Sequence, residues 1–512
     1  MKTILLYFTV FIFTVTLNAQ DLEWVTQHSS VTQSWTTSST FDSNQNVISV
    51  GEFSGTIDLD PSANTANVIS QSTGQRNVFL QKLDVNQNYI WGIRFGGNLG
   101  GPFPKKIITD GNDDIIMIGD FLSGVNFDPN GSFVLGSNGS YDGFIAKYSG
   151  VDGSLIWAMQ IGGTGSDTIK DIAIPINNAT NVNHNYFVIC GGFRNTVNFN
   201  PLGSAINLTS NGDMDIFAMK YGTNGQLLWD YTAGSTGIDF ASSIIANSTG
   251  VIFTGQFNET VDFDYSNNTY SSFAQVENYG FIVKLNSSSS FASMNPIHFT
   301  DTLFKDLKIG GSGGNRVFIS GKFESDIILN DSGDVLGVFD NVPTQRFILA
   351  TNVAASHQIP TYSGFKITGD MNQDVSINIK NIVYMNDANI YIIGDFDGTM
   401  NISTDVGTIL EISNGGKDIF IIKMNSYLTI NSLHKIGGTG DDYVYDAQGR
   451  IPDPNNAFHL VAISGSFQNT VDFDLSTGVN ELTASGTNDG FTMLINNDAP
   501  TASIISVENL ST

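Results

Sequence analysis

The chain has 512 residues, a formal net charge of −27 from 22 Lys and Arg against 49 Asp and Glu, and one cysteine, Cys190. Basic residues scattered along so acidic a chain argue against nucleic acid as a partner, since phosphate backbones are held by clustered Lys and Arg; a lone cysteine excludes an intramolecular disulfide framework. The 53 Gly, with Asp supplying all but eight of the acidic residues, disfavour long helices and favour strands joined by tight turns.

The N-terminus runs from Lys2 through the apolar stretch 4–17 to small Ala19, the layout of an export signal. At about 14 residues the stretch is short for a bilayer-spanning helix, and no later segment approaches the roughly 18 apolar residues that one needs. The expectation is a signal peptide at 1–19 and a soluble mature protein, net charge −28 once Lys2 is removed. It is secreted or displayed on the cell surface, with no integral membrane segment. No cysteine follows the apolar stretch, so no lipid anchor is expected there.

Leu22-Glu-Trp24-Val-Thr opens the mature chain, and three marks then recur about once per 70 residues, the spacing of one β-sheet module per repeat. The first is Gly-x-Phe, at Gly51/Phe53, Gly119/Phe121, Gly191/Phe193, Gly255/Phe257, Gly321/Phe323, Gly394/Phe396 and Gly465/Phe467. The second is a Phe with Lys usually three residues on: Phe79/Lys82, Phe144/Lys147, Phe217/Lys220, Phe281/Lys284, Phe347 without Lys, Phe420/Lys423 and Phe491 without Lys. The step from the first Phe to the second is 26 residues once, 23 once and 24 five times. The third is a Trp strand closed by a Gly-rich turn: Trp91 before Gly96-Gly97, Trp157 before Gly162-Gly-Thr-Gly-Ser-Asp167, Trp229 before Gly234, and a Trp-less copy before Gly437-Gly-Thr-Gly-Asp-Asp442.

Each unit offers four strands, and seven units without helical periodicity predict an all-β fold over 20–496, a seven-bladed β-propeller with four-stranded blades. Runs such as Val251-Ile-Phe-Thr-Gly-Gln-Phe257 are apolar on both faces, as blades buried on both sides require. The glycine of Gly-x-Phe reads as a place where one blade's backbone approaches its neighbour. Cys190, in Tyr186-Phe-Val-Ile-Cys-Gly, reads as a small buried side chain. The seventh copy stops after Phe491-Thr-Met-Leu-Ile495 with no Trp strand, so the strand of Trp24 is expected to complete the last blade and close the ring. Asp498-Ala-Pro-Thr begins a linker-like tail, 497–512.

These marks resemble a family of secreted bacterial proteins with seven-bladed propeller repeats, the SBBP type, whose units carry an Asp-x-Phe-x-x-Lys strand, a Gly-Gly turn and a Gly-Asn turn. Asp142-Gly-Phe144 to Lys147, Asp215-Ile-Phe217 to Lys220 and Asp418-Ile-Phe420 to Lys423 carry the likeness, which covers nearly all of 21–496. The Gly-x-Phe extension with its Asp-Phe-Asp segment and the degenerate units around 281–367 depart from it. The resemblance implies the fold and export, and no catalytic residue. Members often end in a sorting domain, which the tail does not resemble.

The best chemical candidates are residue pairs two apart after each Gly-x-Phe, able to share a hard cation from one strand face: Asp58/Asp60, Asn126/Asp128, Asn198/Asn200, Asp262/Asp264 and Asp472/Asp474, with Ile328/Asn330 and Asn401/Ser403 as neutral copies. The apolar residue between them reads as a strand ending in an Asx-type turn, and this reading is preferred to calcium. Because the pairs are lost without any change in spacing, cations are expected to contribute little to the fold. Gly310-Gly-Ser312-Gly-Gly314 matches the G-x-S-x-G elbow but leads into a strand, so it reads as a hairpin turn. The Gly-rich turns at Gly162 and Gly437 lack the ending of a phosphate loop. His28, His184, His298, His357, His434 and His459 show no metal-ligand spacing. Gly225-Gln-Leu-Leu-Trp229 resembles the Trp strands of quinone-binding propellers in blade packing alone.

No catalytic, cofactor-binding or metal residue is therefore assigned. The preferred reading is a monomeric, non-catalytic extracellular module that binds a glycan or protein; the alternative is a secreted glycan hydrolase or lyase with acids converging on the channel. The segments between units vary from 40 to 49 residues, and specificity is expected in their insertions, 177–185, 354–374 and 450–456.

Overall fold

The structure, a computed structural model, describes residues 21–496 apart from 71–75, 97–100, 177–184, 248–249, 265–270, 274–278, 288–290, 300–304, 312–315, 324–326, 329–334, 338–344, 353–362, 370–375, 386–388, 405–406, 426 and 451–458. The expected signal peptide, the tail, most of the three long insertions, His184, His357 and Ser312 lie outside the described residues. Regular structure is all strand among the described residues, and no helix is long and apolar enough to cross a membrane.

The strands follow one another as antiparallel meanders. The first sheet runs Gln33–Phe41, Val47–Ser54, Asn77–Leu83, Tyr89–Phe95, the second Phe103–Thr109, Ile115–Phe121, Asp142–Tyr148, Leu155–Ile161, and the third Thr168–Ala173, Tyr186–Asn198, Asn207–Gly222, Leu227–Ala233. The next three start from the inner strands Phe240–Asn247, Lys305–Gly311 and Ser376–Tyr384. The last joins Tyr443–Gly449, Leu460–Phe467 and Asp489–Asn496 to the N-terminal strand Asp21–His28, with Trp24 opposite Leu494. The strand of Trp24 thus lies where the sequence placed it.

Each inner strand packs against the inner strands before and after it, and Gln33–Phe41 touches both Phe103–Thr109 and Tyr443–Gly449. Apolar side chains from both sheet faces fill the spaces between sheets, as with Val50, Leu80 and Trp91 against Met117 and Phe144. This face-to-face packing about inner strands is that of a β-propeller. Between the last and first sheets the filling is partly polar: Ser39 Oγ lies 2.6 Å from Ser464 Oγ, Ser49 Oγ 2.9 Å from Thr492 Oγ1, and buried His28 bonds Gln81 Oε1 and Thr36 Oγ1, each at 2.8 Å. Cys190 is buried, as expected.

The marks have separate structural tasks. A Cβ on Gly51 would collide with the carbonyl of Trp35 on the inner strand and come within 2.6 Å of the Phe79 ring on the third strand. Gly119, Gly191, Gly255, Gly394 and Gly465 repeat this contact with Phe144, Phe217, Phe281, Phe420 and Phe491. The close approach is therefore inside one sheet, not between neighbouring blades as the sequence suggested. Contact between sheets falls to tryptophan: the indole N–H of Trp24 donates to Val85 O at 2.9 Å, and those of Trp91 and Trp157 to Gly150 O and Thr223 O at 3.3 Å, each on the following sheet. The lysines of the second mark meet carboxylates or rings: Lys82 Nζ is 2.8 Å from Asp42, Lys147 Nζ 2.7 and 3.0 Å from Asp110 and Asp114, and Lys220 Nζ 3.7 Å from the Tyr186 ring centroid.

Gly119→Ala should cost about 1–3 kcal/mol or more, because the added methyl meets a carbonyl and a packed ring that cannot both retreat. Gly136, with open space around its Cα, serves as the control, and Gly136→Ala should stay within about 0.5 kcal/mol of the parent in urea melts.

Candidate functional site at the channel mouth

The paired Asp and Asn residues sit in hairpins between the second and third strands, such as Thr56–Asp58 with Asn67–Ile69 and Thr470–Asp472 with Glu481–Thr483. In each case the first residue's Oδ1 accepts backbone N–H groups: Asp58 from Asp60 and Ala66, Asn126 from Asp128 and Phe133, Asn198 from Asn200 and Ile206, Asp472 from Asp474 and Asn480, and Asp262 from Asp264. An oxygen already holding two N–H donors closes a turn, which favours the Asx reading over a shared cation. Asn330 lies outside the described residues, and Asn401 is on the strand Thr399–Thr404. The hairpins lean on the preceding sheet, as where Gly96 N donates to Asn126 O at 3.0 Å and Ser30 bridges Ile57. Strands Lys305–Gly311 and Arg316–Phe323 pair antiparallel around 312–315, the hairpin expected for the G-x-S-x-G segment.

The residues that converge are ones the sequence reading passed over. The middle residue of each Gly-x-Phe stands directly opposite an inner-strand residue, giving Trp35/Glu52, Phe103/Asp120, Thr168/Gly192, Phe240/Gln256, Lys305/Lys322, Asn378/Asp395 and Tyr443/Ser466 at one end of the inner strands. Just past these pairs every inner strand is irregular, with an extra residue at Thr37, Lys105, Lys170, Ser242, Lys380 or Tyr445, or in the step from Lys305 to Lys308. A bulge re-aims the side chains around it. The extra residue meets the second strand of its own sheet, the sheet that follows, or both: Lys105 Nζ bonds Asp120 and, on the third sheet at 2.8 Å, Thr168 Oγ1 and Ile169 O; Lys170 Nζ lies 5.5 Å over the Phe240 ring of the fourth sheet; Lys380 Nζ is 3.6 Å from Asp395; Tyr445 OH is 3.0 Å from Ser466 Oγ.

The residue after the bulge reaches the next sheet. Ser38 Oγ donates to Asp446 at 2.5 Å, Asn381 Nδ2 donates to Asp446 at 2.9 Å, Lys106 Nζ meets Asp171 at 2.7 Å, and Ser243 Oγ donates to Asp171 at 2.9 Å. Gln448 Nε2 bonds Ser38, Asp446 and, from the last sheet to the second, Ile107 O at 2.8 Å. This belt ties side chains across the channel, below the pairs at the ends of the inner strands.

Aromatic and charged groups concentrate at that mouth. Tyr443 and Tyr445 stack with centroids 6.3 Å apart, Lys417 Nζ lies 5.4 Å from the Tyr443 centroid and 3.4 Å from Asp395, and Arg76 lies 4.3 Å over the Trp35 ring and 3.4 Å from Glu52. Burial raises the Tyr445 phenol to about 12 against the lowering effect of its bond to Ser466, and Tyr443, Asp395 and Glu52 add to the rise. Asp395 belongs to the sheet before that of Tyr445 and Glu52 to the first sheet. Burial lifts the Glu52 carboxyl to about 7 against the opposing pull of Arg76. In sequence the only trace of this site is a polar pair before an aliphatic residue, as in Lys105-Lys-Ile, Lys170-Asp-Ile and Lys380-Asn-Ile.

No protein-family model matches this chain, and no curated protein does. Among solved structures it is similar to the quinohemoprotein alcohol dehydrogenase ADHIIG of Pseudomonas putida HK5, at 9% identity and a TM-score of 0.35 over 95% of this chain and 78% of that one. It is also similar to the quinohemoprotein alcohol dehydrogenase of Comamonas testosteroni, at 10% identity and a TM-score of 0.32 over 97% and 79%. Likeness at this level transfers neither cofactor nor activity.

Between pH 4.5 and about 7 folded Glu52 keeps a proton that the unfolded chain has released. Its contribution is thus complete below pH 4.5 and disappears as pH rises through 7, a change on the order of 3 kcal/mol. Glu52→Gln should remove this part of the slope, read from urea melts of both proteins between pH 4 and 8.

Proposed function

We propose that this protein is an extracellular, non-catalytic binding module of the SBBP type, a closed seven-bladed propeller that captures a glycan or protein at its channel mouth. The observation that carries the reading is the convergence of Trp35, Tyr443, Tyr445 and their ion-paired neighbours above a belt whose polar groups bond to one another. A wall of aromatic faces and fixed polar groups above a bonded floor suits capture of a surface ligand. The closed ring is supported by inner strands in cyclic contact and by Trp24, which clasps the first sheet as Trp91 clasps the second. Export rests on the N-terminal stretch.

One observation favours an enzyme instead. Glu52, a buried carboxyl that holds its proton to about pH 7, has the character of a general acid. Its ion pair with Arg76, which itself lies over the Trp35 ring, ties it into the aromatic wall and favours binding.

Two experiments bear on this. Deleting residues 21–30 should expose the edge of Asp489–Asn496 and lower both melting temperature and solubility; unchanged melting argues against closure by the N-terminal strand. On a glycan array the mature protein should bind a defined subset, and Trp35→Ala with Tyr443→Ala should weaken it at least about tenfold. Unaltered binding by the double variant removes the mouth as the site, and release of new reducing ends that stops in Glu52→Gln selects the hydrolase.

A further inference from the structure

We infer that three joints between neighbouring sheets are proton-binding devices: each holds two buried aspartates on one glycine turn, the pair keeps a proton in mildly acidic medium, and the joint loosens when both are ionised.

The first aspartate of each pair, Asp142, Asp215 or Asp418, opens the third strand of its sheet opposite the Phe of Gly-x-Phe. One oxygen accepts the backbone N–H of Asn138, Asn211 or Asn414, at 2.7, 2.9 and 2.8 Å. The other, Oδ1, is buried and accepts no hydrogen bond among the described residues. It rests on a bare α-carbon, since a Cβ on Gly162, Gly234 or Gly437 would come within 2.4, 2.3 and 2.3 Å of it.

The second aspartate, Asp167, Asp239 or Asp442, stands just before the inner strand of the next sheet. Its main-chain N–H returns to the residue before the first aspartate, Tyr141 O, Met214 O or Lys417 O, at 2.7 Å in every case. Both of its carboxylate oxygens are used. Oδ2 takes the N–H of Gly163, Ser235 or Gly438 in the shared turn, and Oδ1 that of Arg194, Asn258 or Gln468, the residue after Gly-x-Phe in the following sheet.

An ionised carboxylate with a buried oxygen that lacks a donor is costly, and a second carboxylate on the same turn adds repulsion. A proton on the first aspartate removes both penalties and leaves the sheet-to-sheet bonds of the second intact. Two other joints do without the pair. Between the last and first sheets Ser34 takes the second place, and Asp489 has an N–H donor on each oxygen, from Ser30 and Ser485; between the first and second sheets Asn77 and Pro102 take the two places.

Titration follows the geometry. Burial, opposed by the N–H bonds, lifts Asp167, Asp215 and Asp418 to about 6 and Asp442 to about 7, and raises Asp142 and Asp239 as well. The other aspartate of the pair adds to the rise at Asp167, Asp215 and Asp442, as do Asp120 at Asp142, Glu259 at Asp239, Asp397 at Asp418 and Asp441 at Asp442; Arg194 opposes it at Asp167 and Lys435 at Asp418. Folded values above the ordinary 3.8 make the contribution complete below pH 3.8 and lost as pH rises through 6 at Asp215 and 7 at Asp442.

The test counts protons, by titrating native and urea-unfolded mature protein side by side at about pH 5. The Asp215→Asn, Asp418→Asn variant, whose amides imitate the protonated carboxyls, should release about two fewer protons on unfolding than the parent. Its melting temperature should also fall less between pH 5 and pH 8. In a Glu52→Gln background the difference should persist, which separates the joints from Glu52. Should the double variant fail to fold, native Glu52→Gln protein at pH 6 should still show carboxylic-acid C=O absorption in the infrared that disappears on unfolding or at pH 8. Equal proton release by parent and variant, or no such absorption, overturns the inference. Millimolar calcium that restores the pH 8 melting temperature of the parent and not of the variant assigns the unbonded oxygens to a cation, and overturns it too.

Discussion

The contact on which this molecule depends is a bare α-carbon. In the second strand of six sheets, among the described residues, a glycine lies against the carbonyl of the inner strand and beneath a phenylalanine ring of the third. The missing Cβ lets three strands share one site, so the ring fills space a side chain would have taken. The same contact fixes register across the sheet. With the glycine held, its neighbour in Gly-x-Phe must stand opposite the inner-strand residue at the mouth, and the following Phe must enter the core. Glu52, Asp120 and Asp395 stand opposite the inner strands because Gly51, Gly119 and Gly394 fix the register.

The bulge is the second constraint. A regular inner strand would alternate its side chains strictly, and Lys105 and Lys106 would point to opposite faces. One extra residue breaks that alternation and gives two tiers, one meeting the second strand of its own sheet and, at Lys105 and Lys170, the sheet that follows, and one bonded to an adjoining sheet. Each tier makes a different contribution. The lower one, with Asp446 accepting from both Ser38 and Asn381, stitches neighbouring sheets together; the upper one pairs Lys105 with Asp120, Lys380 with Asp395 and Tyr445 with Ser466.

The space between the last and first sheets differs from the others in its chemistry. Ser39, Ser49, Ser464 and Thr492 exchange hydrogen bonds there, and buried His28 bonds two partners; burial lowers its pKa to about 4. Hydrogen bonds are directional where apolar packing is not, so this joint selects one relative placement of the chain's two ends.

Much of the fold was legible from spacing alone. A Phe-to-Phe step held near 24 residues reports paired strands, since a register slip reverses every side chain, and the unmatched Trp24 strand and the truncated last copy were complementary in sequence. The Asx turns were likewise readable, because an Asp two residues before a turn amide acts over a local distance. The mouth was not readable. Its members come from Gln33–Phe41, Ser376–Tyr384 and Tyr443–Gly449, the first of them more than 300 residues from the other two, and what unites them is an irregularity of one residue per inner strand that shows only when the partner strand's register is known. Sequence determined the repeating contacts because these recur at fixed separations; tertiary structure alone decided which charges meet, because sheets that follow one another around an axis bring together residues that have no fixed separation along the chain.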